Sequence, residues 1–184
     1  MLQMEAHVPN EPLTFEQLML PHLNAAFNLA TWLLRDRHDA EDAVQDAFLR
    51  AHKAFGRFRG GDGRAWLLTI VRNICYSHMR QSRRGGEEVA FEDEIHGSTH
   101  DPADANAVAW HEVKSDLLQK GLERLAPEFR EVIVLHEIEG LAYREIAEVS
   151  GVPMGTVMSR LARARGKLQT EVLNLAKEGP NNEL

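Results

Sequence analysis

One cysteine in 184 residues excludes an internal disulfide framework. Cys75 lies between Ile74 and Tyr76 in an apolar-periodic stretch, the setting of a core thiol. A redox or metal role needs partners, and no His or Cys set with ligand spacing accompanies it. No apolar run approaches the ~20 residues of a membrane span. Met1 to Pro12 carries Glu5 and Glu11 and lacks the basic-then-apolar pattern of a secretory signal, so a cytoplasmic location without membrane insertion is expected. There is no glycine loop followed by Lys-Ser/Thr and no hint of a nucleophile–base pair, which argues against an enzyme and against a bound cofactor. Alternating strand patterns are also missing.

What remains is a chain with 43% apolar and 27% charged residues, the composition of a globular protein. The net charge of −7 argues against a nucleic-acid partner, but it averages over strong segregation. From Arg50 to Arg84 the bases are Arg50, Lys53, Arg57, Arg59, Arg64, Arg72, Arg80, Arg83 and Arg84, opposed only by Asp62. From Gly85 to Asp101 the sign inverts, with Glu87, Glu88, Glu92, Asp93, Glu94 and Asp101. Thr156 to Leu168 then holds Arg160, Arg163, Arg165 and Lys167 without an acid. Two basic blocks about an acidic one suit two phosphate-binding surfaces on a charged tether. Solvated helix faces are the plainer alternative for any single run.

Apolar spacing of three and four residues predicts an all-α protein of two small helical domains joined by a flexible acidic linker. The first helix opens at Thr14, with Gln17 completing a capping box, and its apolar stripe runs from Phe15 through Leu23 to Leu34. A second starts after Asp39 and reaches about Phe55. A glycine-rich loop, Gly56 to Gly63, precedes a third over Arg64–Arg83. Residues 85–101 read as linker. Helix resumes near Pro102 and runs to about Leu125, followed by helices over Glu128–Glu137, Tyr143–Ser150 and Pro153 to about Lys177. The domains are thus 13–84 and 102–177.

On the second helix Ala43, Val44, Ala47, Phe48, Ala51 and Phe55 share the core face. Opposite lie Asp42, Gln45, Asp46, Leu49 and Lys53. A lone exposed leucine usually means nothing, but one framed by acids suits the centre of a protein interface. On the third helix Leu67, Ile70, Val71, Ile74 and His78 point inward. Thr69, Arg72, Asn73, Tyr76, Arg80 and Arg83 point outward, with Trp66 at the border. Arginines hold phosphate and aromatics offer faces to unpaired bases, a pairing that suits melting DNA better than intact duplex. Trp66 alone is equally explained by core packing. In the loop, Arg57, Phe58 and Arg59 between glycines allow close approach of backbone to an extruded base.

In the last third, Ala147, Gly151 and Val157 keep the spacing of a helix-turn-helix. Val157, Leu161, Ala164 and Leu168 form the inward stripe of its second helix. Ser159, Ala162, Arg163 and Gly166 point outward, flanked by Arg160 and Lys167 and by Met158 and Arg165. Such a helix fits the major groove, its centre on base edges and its flanks on phosphates.

The run from Asp39 to Ala51 closely resembles region two of the bacterial sigma factors of the extracytoplasmic-function (ECF) type. Leu125 to Val132 and Gly155 to Arg165 strongly resemble their region four. The resemblance implies a factor that binds core RNA polymerase and directs promoter-specific initiation. Asp42, Gln45 and Asp46 would then contact the β′ coiled coil, with Leu49 among them, and region four would meet the β flap. Loop and third helix (Arg57, Phe58, Arg59, Trp66, Arg72, Asn73, Tyr76, Arg80) would open and read the −10 element, capturing a flipped base. Thr156, Ser159, Arg160, Arg163, Arg165 and Lys167 would read the −35 element. An anti-sigma factor is a further expected partner. Two departures stand out. Ala142 replaces a usual serine cap worth ~1 kcal/mol, and Met158 stands where a basic residue is frequent.

Three rivals remain. A stand-alone helix-turn-helix regulator explains the last third but neither Leu49 nor the Arg-aromatic helix. A sigma mimic that captures an anti-sigma factor has no need of DNA-facing bases. An enzyme lacks a site. In the free protein the acidic linker is expected to fold back over Arg80, Arg83 and Arg84 and screen them.

Overall fold

The computed structural model describes residues 14–85 and 116–178. All regular structure among them is helical. The linker, its expected fold-back and the helix onset near Pro102 lie outside the described residues.

Thr14 caps α1 (Phe15–Met19) with the expected reciprocal box: its hydroxyl accepts from the Gln17 N–H at 3.3 Å, and Gln17 Oε1 accepts from the Thr14 N–H at 2.9 Å. The single first helix predicted by the spacing is in fact broken. Pro21 lacks an N–H, and the chain passes through a 3₁₀ turn, Leu20–His22, before α2 (Leu23–Leu34). Leu23, expected on the stripe, is 43% exposed beyond the break. Arg35 ends α2 in a left-handed conformation with φ 62°. That reversal frees Asp36 to cap α3 (Arg37–Ala54), its carboxylate accepting from the Asp39 N–H at 2.8 Å. The helix therefore starts earlier than expected, and Asp39 lies inside its first turn.

α4 (Gly63–Gly85) packs against both α2 and α3. Its buried line is Leu67, Leu68, Val71 and Cys75, with Ile70, Ile74 and His78 half-buried. The inward face is thus rotated from the expected one toward Leu68 and Cys75. The cause is a second neighbour, because α4 also packs on α7 (Tyr143–Ser150) of the other domain. Cys75 is the expected core thiol, and burial pushes its pKa up to about 12.

In the second domain α5 (116–124) leads to α6 (Pro127–Ile133), begun by a proline whose missing N–H costs nothing there. The helix predicted over Glu128–Glu137 changes character at its middle. Val134–Ile138 forms a wide π turn, closed by Glu139 N–H on the Val134 carbonyl at 2.9 Å, and Gly140 reverses the chain at φ 69°. α7 and α8 (Met154–Glu178) follow where the spacing placed them. Val157, Leu161 and Ala164 are buried on α8 and Leu168 is half-buried. Both domains contribute to one contiguous core.

Candidate polymerase and nucleic-acid interfaces

Ala40, Ala43, Val44, Ala47 and Ala51 commit one side of α3 to the core. The other side presents Asp42 and Gln45 to solvent and leaves Leu49 56% exposed. Asp46 accepts from Arg50 Nε at 3.0 Å and from Nη2 at 2.7 Å, a surface pair one turn long. Beside Leu49 lies an apolar groove of about 600 Å³ between α2 and α3, with Phe15, Phe27, Val44 and Phe48 in its walls. Phe15 holds Phe48 and Phe55 edge-on at 6.3 and 5.4 Å.

The loop before α4 is ordered by a row of rings. Phe55 stacks parallel to Phe58 at 6.2 Å, and Phe58 lies on Trp66 at 4.9 Å. Gly60 and Gly61 take φ of 86° and 101°, which only glycine adopts without strain. Asp62 caps α4 through the Arg64 N–H at 2.9 Å. Arg57, Arg59, Asn73 and Arg80 are exposed, while Phe58 and Trp66 are half-buried. Arg72 and Tyr76 sit differently: both turn toward the other domain.

In the helix-turn-helix, Gly151 supplies the turn at φ 65°, its N–H closing on the Ala147 carbonyl. Val157 is fully buried beneath it. The missing serine at 142 is compensated in part: the Ala142 N–H donates to Glu145 Oε2 at 2.5 Å, the half of a capping box that needs no cap side chain. Along α8, Arg163, Arg165 and Lys167 are exposed and Thr156, Ser159 and Arg160 half-exposed. Ser159 Oγ donates to the Thr156 carbonyl at 3.0 Å. Lys167 lies 5.4 Å over the Phe129 ring, and Met158 is 50% exposed. Arg165 is held by Glu137 at 2.5 and 2.9 Å, a hydrogen-bonded pair that raises its pKa.

Sequence reasoning missed two residues that organise the junction of the domains, Arg130 and Glu131. Arg130 is 3% exposed and donates to the carbonyls of Leu122, Glu123 and Leu125, and to that of Trp32 in α2, at 2.6–2.9 Å. It satisfies the end of α5 and ties it to the first domain. Burial lowers its pKa to about 10. Glu131 is fully buried and accepts from Arg72 Nε, Tyr76 Oη at 2.6 Å and Ser150 Oγ at 2.9 Å. Burial raises the Tyr76 pKa, and the Glu131 carboxylate adds to the effect. The available signal was two adjacent charges inside the otherwise apolar Phe129–Leu135 run. A charge in such a stretch has to find partners.

Comparison with known proteins bears on what these surfaces are. Residues 18–85 match sigma-70 region 2, and residues 115–168 match sigma-70 region 4. The ECF RNA polymerase sigma factor SigE of Mycolicibacterium smegmatis is 34% identical over 85% of this chain and 60% of its own length. The RNA polymerase sigma-H factor of Pseudomonas aeruginosa is 31% identical over 89% of both chains. The chain belongs to the ECF sigma factors. Its function is promoter-specific transcription initiation, with region 2 in the α1–α4 bundle and region 4 in α5–α8. The sigma factor RpoE of Bartonella quintana, solved with the anti-sigma factor NepR, matches at a TM-score of 0.71 and 33% identity. That likeness covers 87% of this chain and 96% of the other. The chain spans 60% of SigE's length, so SigE carries parts with no counterpart in the match. No helix among the described residues of this sigma factor is long and apolar enough to cross a membrane.

Proposed function

We propose that this sigma factor docks on core RNA polymerase through Asp42, Gln45, Asp46 and Leu49, and takes −10 DNA on the loop and α4. It reads −35 DNA with Thr156, Ser159, Arg160, Arg163, Arg165 and Lys167. It works in the cytoplasm with its domains at 13–84 and 102–177 and the tether 85–101 between them, and it catalyses no reaction of its own. Polymerase opens the duplex with binding energy as the only input from this chain. The observation that carries the docking is Leu49, exposed between acids on a helix whose opposite side is wholly given to the core. An apolar groove of about 370 Å³ on region 4, walled by Leu118, Ile133, Leu168, Val172 and Leu173, supports a second contact with the β flap. The complex of the Bartonella protein with NepR supports an anti-sigma factor as the partner that restrains this chain.

The test is a binding assay with core polymerase. Asp42→Arg combined with Asp46→Arg lowers affinity at least about tenfold, since like charge then meets a surface selected for acids. The thermal melt moves little, because the one pair lost, Asp46–Arg50, is exposed and worth under about 1 kcal/mol. Unchanged affinity with an intact melt refutes the docking face.

A further inference from the structure

Three carboxylates between residues 131 and 139 each hold an arginine of a basic surface. Glu137 holds Arg165 on α8, within region 4. The other two reach across to region 2. Glu131 takes Arg72 and Tyr76, and the Arg72 guanidinium lies flat over the Tyr76 ring at 4.3 Å. Glu139 takes Arg64 Nη2 at 2.7 Å, and the same nitrogen also donates to the Glu139 carbonyl at 2.7 Å. Asn28 of α2 donates to the second oxygen of Glu139 at 2.9 Å. Arg64 and Arg72 are eight residues apart on α4, roughly 12 Å along its axis. Two oxyanions at that interval on one basic helix accept hydrogen bonds of the kind that backbone phosphates accept from arginine. Glu131 is fully buried, so its charge depends on these donors; parted from α4 it keeps Ser150 and must otherwise be hydrated.

We propose that Glu131 and Glu139 stand in for promoter phosphate and hold regions 2 and 4 together in the free protein, so that α4 takes DNA only after the regions separate. This rests on the assignment of α4 to DNA made above. It makes DNA binding conditional on whatever pulls the regions apart, and it places the restraint inside the chain. Arg57, Arg59, Asn73 and Arg80 stay exposed in the closed form and allow weak contacts only.

The experiment uses the full chain. Lys53→Cys and Arg144→Cys place one dye on each region at exposed positions, and buried Cys75 stays unlabelled. The distance between dyes and the affinity for a short single-stranded oligonucleotide of mixed sequence are measured at low salt. Compared with the labelled parent, Glu131→Gln with Glu139→Gln lengthens the distance and tightens binding about tenfold; adding Arg72→Ala removes the gain. Glu139→Gln alone, which leaves the buried triad in place and guards against misfolding of the double variant, tightens binding roughly threefold. Unchanged affinity in both variants overturns the masking. The dyes then locate the fault. With the distance unchanged, the carboxylates do not hold the chain closed. With the distance lengthened, they do, and the assignment of α4 to DNA is what fails.

Discussion

Arg130 shows how much one side chain settles here. A guanidinium has five N–H groups in a fixed fork, and this one makes four hydrogen bonds to carbonyls, three of them at the end of α5. Among the described residues no carboxylate meets it at hydrogen-bond distance, and the peptide dipoles at a helix C-terminus carry the charge. Arg130→Met keeps most of the apolar stem and strands those acceptors, and it should cost about 3 kcal/mol or more, read in a denaturant melt. Arg130→Lys should recover less than half of that, since one ammonium cannot span the four oxygens. A loss under about 1 kcal/mol for Arg130→Met would mean that water replaces the guanidinium freely. Glu131 belongs to the same scale. It precedes the apolar run Val132–Leu135, and its partners come from α4 and α7.

At the scale of elements, most of the fold was legible. The capping box at Thr14, the helix over Tyr143–Ser150, the turn at Gly151 and the buried stripe of α8 follow from local chemistry, and local chemistry is written in adjacent residues. The errors have local causes too. Pro21 splits the first helix, Arg35 adopts a left-handed turn without being glycine, and the π turn at Val134–Ile138 has no compositional mark. The α4 face was misjudged for a different reason: a helix packed on two domains has a wider buried sector than its own periodicity announces. α8 is the element whose division of labour is easiest to test. Arg163 is exposed at the centre of the outward face, and Lys167 is exposed on its flank over Phe129. Arg163→Ala should cost about 1–3 kcal/mol of promoter affinity and relax preference at one base pair. Lys167→Ala should weaken all sequences alike and reduce the salt slope by about one. Identical sequence profiles and salt responses for the two variants would erase the distinction between reading and holding positions.

Across the whole molecule, the order of surfaces was legible and their mutual contact was not. Charge segregation marks two basic blocks in the sequence, and the structure leaves Leu49 exposed on α3, as its helical position implied. The packing of α4 on α7 and of α2 on α6 joins elements far apart in the chain, and so do the pairs that tie α4 to the second domain, Arg72 with Glu131 and Arg64 with Glu139. No periodicity reports a contact of that range. The candidate −10 residues consequently divide into three groups, with Arg72 and Tyr76 engaged across the junction, Phe58 and Trp66 half-buried in the row of rings, and Arg57, Arg59, Asn73 and Arg80 facing solvent. On the proposed assignments, promoter-specific initiation needs all three faces in one complex, and it can be read in a single assay. Core polymerase, fragmented genomic DNA and this chain are combined, and the 5′ ends of the transcripts are sequenced. The account predicts starts that appear only with the chain present, downstream of a shared pair of elements near −35 and −10, and that are lost with Asp42→Arg/Asp46→Arg. Starts that are the same with and without the chain, or that share no upstream elements, would contradict it.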